Sequence, residues 1–232
     1  MTAGAHPAVW TGITDARDPG GRRTRVIELQ RPEKLNCLSL AMLDELLAAL
    51  EDCPADRIML AGAGRSFCSG LDLSEVAAPG GSRAHLERLV KVYRRLLTAP
   101  VPTLVLARGY AVGGGAGLVA CARTVVAASD FCLRLPGGDL ARLAAAVIPV
   151  CRLRAQGRLP AGGAWLGCEL NACEAQQLGL VDKVVSPEQL ESFLHEAKRG
   201  ATLPPWWDAP PRHEGAAVDR AVRELEDYLH NF

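Results

Sequence analysis

Aromatic side chains are scarce in this sequence, 5% of 232 residues, and neither sign of charge dominates: 26 Lys and Arg stand against 26 Asp and Glu. That balance excludes the broad basic field by which a protein collects nucleic acid or an anionic membrane surface. The longest apolar runs fall far short of a membrane span. Met1 to Trp10 lacks a basic segment followed by an apolar one, so no signal peptide is expected and the cytosol is the default location. Among the eight cysteines there is no CxxC pair and no Cys/His spacing of a zinc site, and no metal is expected. They are scattered, several within apolar runs, and read as buried reduced thiols acting as small hydrophobes. No GxSxG elbow, internal repeat or low-complexity tract occurs.

What the sequence does hold is a soluble globular composition, 49% apolar and 22% charged, long enough for one domain with a sizeable core. Apolar runs of strand length alternate with stretches of helical period, which predicts an α/β fold. Thr24–Gln30, Arg57–Ala61, Thr124–Ala128 and Val181–Val185 read as strands. Ser39 caps a predicted helix to Leu50, and Leu86, Leu89, Val90, Tyr93, Leu96 and Leu97 mark the apolar face of another. On that helix His85, Glu87, Arg88, Lys91, Arg94 and Arg95 are assigned to the solvated side. Leu133–Asp139 reads as a loop and Leu140–Val147 as helical. Asn171 with Glu174, and Ser186 with Gln189, are capping boxes for two further helices. A Pro/Trp segment, Thr202–Pro211, precedes a last helix at Ala216–Leu229.

The centre of the chain is Leu104–Val119: a strand, then Gly113-Gly114-Gly115, then a small-residue helix to about Cys121. Consecutive glycines at a strand-to-helix junction let backbone approach a ligand, and the free N–H groups of the helix start favour a negative oxygen there. Ser66–Leu73 has the same form, with Ser69-Gly70 at the turn. Two such turns could each aim one N–H at a single oxygen, the arrangement of an oxyanion hole.

Four segments carry a family resemblance in order and near its spacing: Arg31-Pro32-Glu33-Lys34-Leu35-Asn36, Ser66–Leu73, Gly109–Gly115 and Gln176–Asp182. Together they resemble the crotonase (enoyl-CoA hydratase/isomerase) superfamily over about residues 24–200. The resemblance implies a crotonase spiral of ββα units with a C-terminal helical region, a core over 1–200 and a shortened oligomerisation region over 201–232. It implies an acyl thioester of CoA or an acyl-carrier protein as substrate, with CoA or phosphopantetheine entering only as part of it, and no other cofactor. The oxyanion donors would be the N–H groups of Leu71 and Gly114. Lys34, Asn36, Ser69, Gly70, Asp72, Leu73, Gly113, Gly117 and Gly137 would line or shape the substrate site. A homotrimer or hexamer is implied, although only about 50 residues follow Val185.

The departures from the family are informative. Its hydratases use two glutamates as acid and base, and the matching positions here are Gly117 and Gly137, neither able to move a proton. Asp139 is the nearest carboxylate that could substitute, against a plain role as a turn residue. Asp72 reads as a helix cap, Cys68 as core and His85 as surface. Members that keep the oxyanion hole with fewer acids include thioester decarboxylases and the polyketide-associated hydratase-like branch, which Gly114–Val119 faintly resembles. The leading reading is therefore an acyl-thioester lyase or isomerase working by enolate stabilisation, in fatty-acid or polyketide metabolism. A catalytically silent acyl-thioester binder or partner subunit remains open beside it. So does an NAD-binding enzyme, since Gly113-x-Gly115 follows a strand and Asp130 ends the next, although Leu118 replaces the third glycine.

Overall fold

The computed structural model describes residues 9–14, 18–51, 54–135, 143, 145–160, 165–204, 207 and 215–232. Strands β1 (Val9–Thr14), β2 (Thr24–Leu29), β3 (Arg57–Gly62), β4 (Thr103–Ala107), β6 (Thr124–Ala128) and β9 (Lys183–Val185) form one sheet in the order β1-β2-β3-β4-β6-β9. β1 runs antiparallel to β2 and the remaining neighbours are parallel. A second sheet of three-residue strands joins β5 (Tyr110–Val112), β7 (Cys132–Arg134) and β8 (Glu169–Asn171). The helices are α1 (Leu40–Glu51), α2 (Leu73–Val76), α3 (Gly81–Leu97), α4 (Gly114–Cys121), α5 (Ile148–Ala155), α6 (Ala172–Gln177), α7 (Pro187–Lys198) and α8 (Ala216–Asn231).

Strand periodicity sorts the large sheet into two covered faces. Ile27, Leu29, Ile58, Leu60, Val105 and Val125 point into the main core with α1, α3, α4 and α5, while Val26, Met59, Leu104, Leu106 and Val126 point the other way, under Leu190, Ala197, Leu203 and Trp207. Burial on both faces is why the alternation of Thr24–Leu29 does not show from sequence which side is solvated: neither is. Its polar members are paired instead, Arg25 Nη1 donating to Ala49 O at 2.7 Å and Glu28 accepting from Lys198 Nζ at 3.0 Å.

The two predicted capping boxes form with both reciprocal bonds, and Ser39 Oγ accepts from Met42 N at 3.2 Å. Other expectations need correction. Leu133 and Arg134 belong to β7, because β5 on one side and β8 on the other supply the ladder that their sequence does not announce. β1 and α5 were not expected at all. α5 is held by Arg154, a fully buried cation whose guanidinium donates to Leu180 O at 2.7 Å, to Ala122 O and to the Asp182 carboxylate. The same Asp182 oxygen accepts from Val125 N at 2.7 Å, so one ion pair ties α4, α5 and β6 to the turn before β9. α8 folds back on α3 and α5, burying Val218, Ala221 and Leu225.

Candidate functional site

Three backbone segments meet at the N-terminal end of α4. The loop 34–38 turns through two left-handed residues, Leu35 and Asn36 (φ 50° and 54°), a conformation asparagine tolerates better than most. Asn36 is fully buried. Its Oδ1 accepts from Arg31 N at 2.9 Å and its Nδ2 donates to Ala63 O and Ser66 O at 2.9 and 2.7 Å. Asn36 therefore shapes the loop from behind and does not itself line the pocket beside it. That loop is zipped to the segment 69–72 by Ser69 N to Leu35 O (3.0 Å), Leu38 N to Gly70 O (2.7 Å) and Asp72 N to Leu38 O (2.9 Å). The third segment is β5 and the glycine turn, where Gly113 N donates to Arg134 O at 2.9 Å and Gly113 adopts φ 51°.

Between them lies a pocket of ≈ 360 Å³ lined by Lys34, Cys37, Ser69, Gly70, Leu71, Leu73, Val112, Gly113, Gly114 and Leu143. Leu71 and Gly114, predicted from separate glycine turns, thus share one wall. The direction of their N–H groups follows from peptide planarity, which sets N–H opposite C=O across each trans bond. Gly113 O accepts from Gly117 N, so the Gly114 N–H points out of the helix start; Gly70 O accepts from Leu38 N, so the Leu71 N–H points away from Leu38. Neither amide donates to any other described residue.

Of the remaining expected site residues, Lys34, Ser69, Gly70, Leu73 and Gly113 line this pocket. Leu73 is 52% exposed and forms an apolar lip. Asp72 stands just outside: it caps α2 by accepting from Ser74 N (3.2 Å) and Ser74 Oγ (2.5 Å), and it accepts from both Nη atoms of Arg31 at 3.1 Å. The Ser74 hydroxyl first, then the Cys37 thiol and Arg31, draw the Asp72 carboxyl down to about 2 against the cost of its burial. Gly137 and Asp139 lie outside the described residues.

Gly117 is buried and does not line the pocket. A Cβ built there would lie 2.0 Å from Tyr93 Oη and 2.3 Å from Cζ, so the direction in which a side chain would leave position 117 is taken up by a tyrosine from α3. His85 corrects another expectation. It is fully buried, with Nδ1 2.8 Å from Gly81 O and Nε2 3.1 Å from Glu75 Oε2, and the same Glu75 oxygen accepts from Leu40 N at 2.8 Å. The helical wheel of α3 placed it outside because it cannot register that α2 crosses at that point. Cys68 is core as expected, its thiol pushed up to about 12 by burial.

Sequence reasoning missed Cys37, Val112 and Leu143 as lining residues. Val112 sits inside a segment already singled out, and only its direction was unknown; Cys37 follows directly on Arg31–Asn36, and Leu143 comes from a separate part of the chain. Burial raises the Cys37 thiol, which donates to Asp72 at 3.4 Å.

A parallel sheet wound with helices, beside a second small sheet, is the crotonase class of α/β fold. The enoyl-CoA hydratase/isomerase family model matches residues 23–229, and the chain belongs to that family. It is 35% identical over 191 residues to a Thermus thermophilus protein bearing an enoyl-CoA hydratase name, covering 76% of this chain and 75% of that one. It is also 30% identical over 208 residues to a mevalonyl-coenzyme A hydratase of Aspergillus fumigatus, 82% and 72% of the two chains. Among solved structures, the enoyl-CoA hydratase of Bacillus anthracis superposes with TM-score 0.67 at 30% identity, over 81% of this chain and 74% of that one. An enoyl-CoA hydratase of Mycobacterium ulcerans gives TM-score 0.76 over 97% of both chains; at 21% identity that likeness speaks for the fold alone. Family membership removes the ground for the NAD-binding reading.

Proposed function

We propose that this protein acts on an acyl thioester of CoA or an acyl-carrier protein, and that the N–H groups of Leu71 and Gly114 form its oxyanion hole. The observation that carries the reading is their meeting on one pocket wall with each N–H turned outward by a carbonyl engaged behind it. Both amides would donate to the thioester oxygen as charge moves onto it, and preorganised donors in an apolar site stabilise that charge without reorganising.

The reaction best matched to these residues needs enolate stabilisation more than a pair of carboxylates. Gly117 cannot supply an acid, and among the described residues the side chains lining the pocket that carry a transferable proton are Lys34, Cys37 and Ser69. Loss of CO2 from a malonyl-type thioester fits: the C–C bond breaks, its electron pair enters the enolate, and a proton from water restores the α-carbon. Decarboxylation is the lyase reaction the site supports most directly; dehydration or isomerisation would call on Lys34, Cys37 or Ser69 to move the proton. A silent acyl-thioester binder is the second reading, favoured by the same missing acid. Lys34 at the mouth suits the CoA or phosphopantetheine arm, no further cofactor is invoked, and the expected assembly is a cytoplasmic homotrimer or hexamer.

The test is to incubate the purified protein with crotonyl-CoA and with malonyl- and methylglutaconyl-type CoA thioesters and to follow substrate mass. A loss of CO2, or a gain of water by an enoyl thioester, supports the enzyme. Tight binding with unchanged mass and unchanged ultraviolet absorbance of the enoyl thioesters supports the silent binder, and no preference for any acyl-CoA over free CoA overturns both.

A further inference from the structure

Behind the glycine wall stands a side chain that touches neither the pocket nor solvent. Tyr93, on α3, is fully buried, and its Oη donates to Gly114 O at 2.8 Å. We propose that Tyr93 is a positioning residue for the Gly114 amide, and that Gly117 is glycine because this tyrosine needs its space. The proposal rests on the oxyanion-hole reading of Gly114.

The need for an external clamp follows from the helix itself. α4 spans eight residues, of which Gly114, Gly115 and Gly117 lower its intrinsic tendency to be helical. It has no side-chain cap, and its N-cap residue Gly113 has a backbone conformation (φ 51°, ψ −114°) that favours glycine. One helical bond, Gly117 N to Gly113 O at 3.1 Å, holds the peptide that carries the Gly114 N–H, and tertiary contacts on either side reinforce it. From the strand side Gly113 N is held by Arg134 O; from the helix side Gly114 O is held by Tyr93, while Leu89 of the same α3 face would lie 3.4 Å from a Cβ at Gly114.

With Gly113 N and Gly114 O both engaged, the peptide between them cannot rotate freely, and it is this peptide that carries the Gly114 N–H. Burial raises the Tyr93 hydroxyl well above its ordinary range, which favours the protonated form that donates to Gly114 O. Position 117 completes the device. A methyl group there would sit 2.0 Å from Oη and push the hydroxyl off Gly114. A phenol thus fills the side-chain direction of residue 117, and its hydroxyl serves the oxyanion turn from behind.

The test uses full-length wild type, Tyr93→Phe and Gly117→Ala, with calorimetric titration of butyryl-CoA and of free CoA. Tyr93→Phe keeps the ring and loses the donor, and Gly117→Ala displaces the hydroxyl, so the proposal stands on either if the other fails to fold. Expected is an unchanged Kd for free CoA and a Kd for butyryl-CoA raised about tenfold. The infrared stretch of the bound thioester carbonyl should move back toward its value in water, a change that a loss of general packing would not single out. A folded variant with the wild-type ratio of the two Kd values and an unshifted carbonyl overturns the role of Tyr93 while leaving the oxyanion hole intact. If wild type itself does not prefer butyryl-CoA to free CoA, the reading of Gly114 fails and the proposal with it.

Discussion

Gly70 and Gly114 approach so closely that a Cβ on Gly70 would stand 3.6 Å from the Gly114 nitrogen and 2.8 Å from Val112 O. Gly70 also adopts φ 95°, where any other residue is strained. Gly70→Ala should therefore cost about 1–3 kcal/mol of stability, read by urea unfolding. It should also weaken acyl-CoA binding at least tenfold by crowding the approach to both amides. Wild-type affinity in the folded variant would refute the placement of the ligand oxygen between Leu71 and Gly114.

Asp72 sets an acid limit on the site. Its carboxyl is lowered from 3.8 to about 2, so its contribution is complete above about pH 4 and is lost as pH falls through 2. On the order of 1–2 kcal/mol is involved. Asp72→Asn should remove that part of the acid dependence, making wild type and variant converge in stability near pH 2 and differ most above pH 4. Parallel curves over the whole range would show that Arg31 and Ser74 do not hold the charge.

His85 and Glu75 pin α2, and with it the residue that follows Leu71, to α1 and α3. His85→Ala removes a fully buried ring and leaves Gly81 O without it, at an expected cost of about 2–4 kcal/mol. Glu75→Ala, at a side chain 40% exposed, should cost less, about 1 kcal/mol. Equal effects would contradict the buried placement of the histidine.

Arg154→Met tests the knot at Asp182. Taking away the cation strands a carboxylate that is largely buried, and about 3–5 kcal/mol of destabilisation is expected. The double change with Asp182→Asn should recover part of it. Additive losses would show that the two side chains are not energetically linked.

Thiol mapping distinguishes the cysteines by position. Cys168 and Cys173 are exposed and should react first with iodoacetamide; Cys37 should follow, and Cys68, Cys121 and Cys151 should stay unmodified in the folded protein. Because Cys37 lines the pocket, butyryl-CoA should slow its alkylation alone. Equal protection of Cys168 would place the ligand elsewhere.

Much of this was legible in the chain. Asn171 with Glu174 and Ser186 with Gln189 announce their helices because a cap is a contact over three residues, and sequence neighbours decide it. The glycine turns at Gly70 and Gly113 are readable for the same reason: the backbone conformation they adopt is closed to other residues. His85, β7 and α5 were not readable. A helical wheel gives a residue's azimuth on α3, yet burial at that azimuth depends on α2 crossing there, and β7 exists because two other strands flank it.

The same division runs through the site. Local sequence determined that two strand-to-helix bends would expose backbone N–H groups, and the order of four motifs sufficed for the superfamily. Only the folded chain decided that Leu71 and Gly114 share a wall, that Asn36 supports the loop from inside, and that Tyr93 takes the space beside Gly117. Those outcomes depend on distances between residues tens of positions apart, which long-range packing sets and nearest-neighbour preference does not.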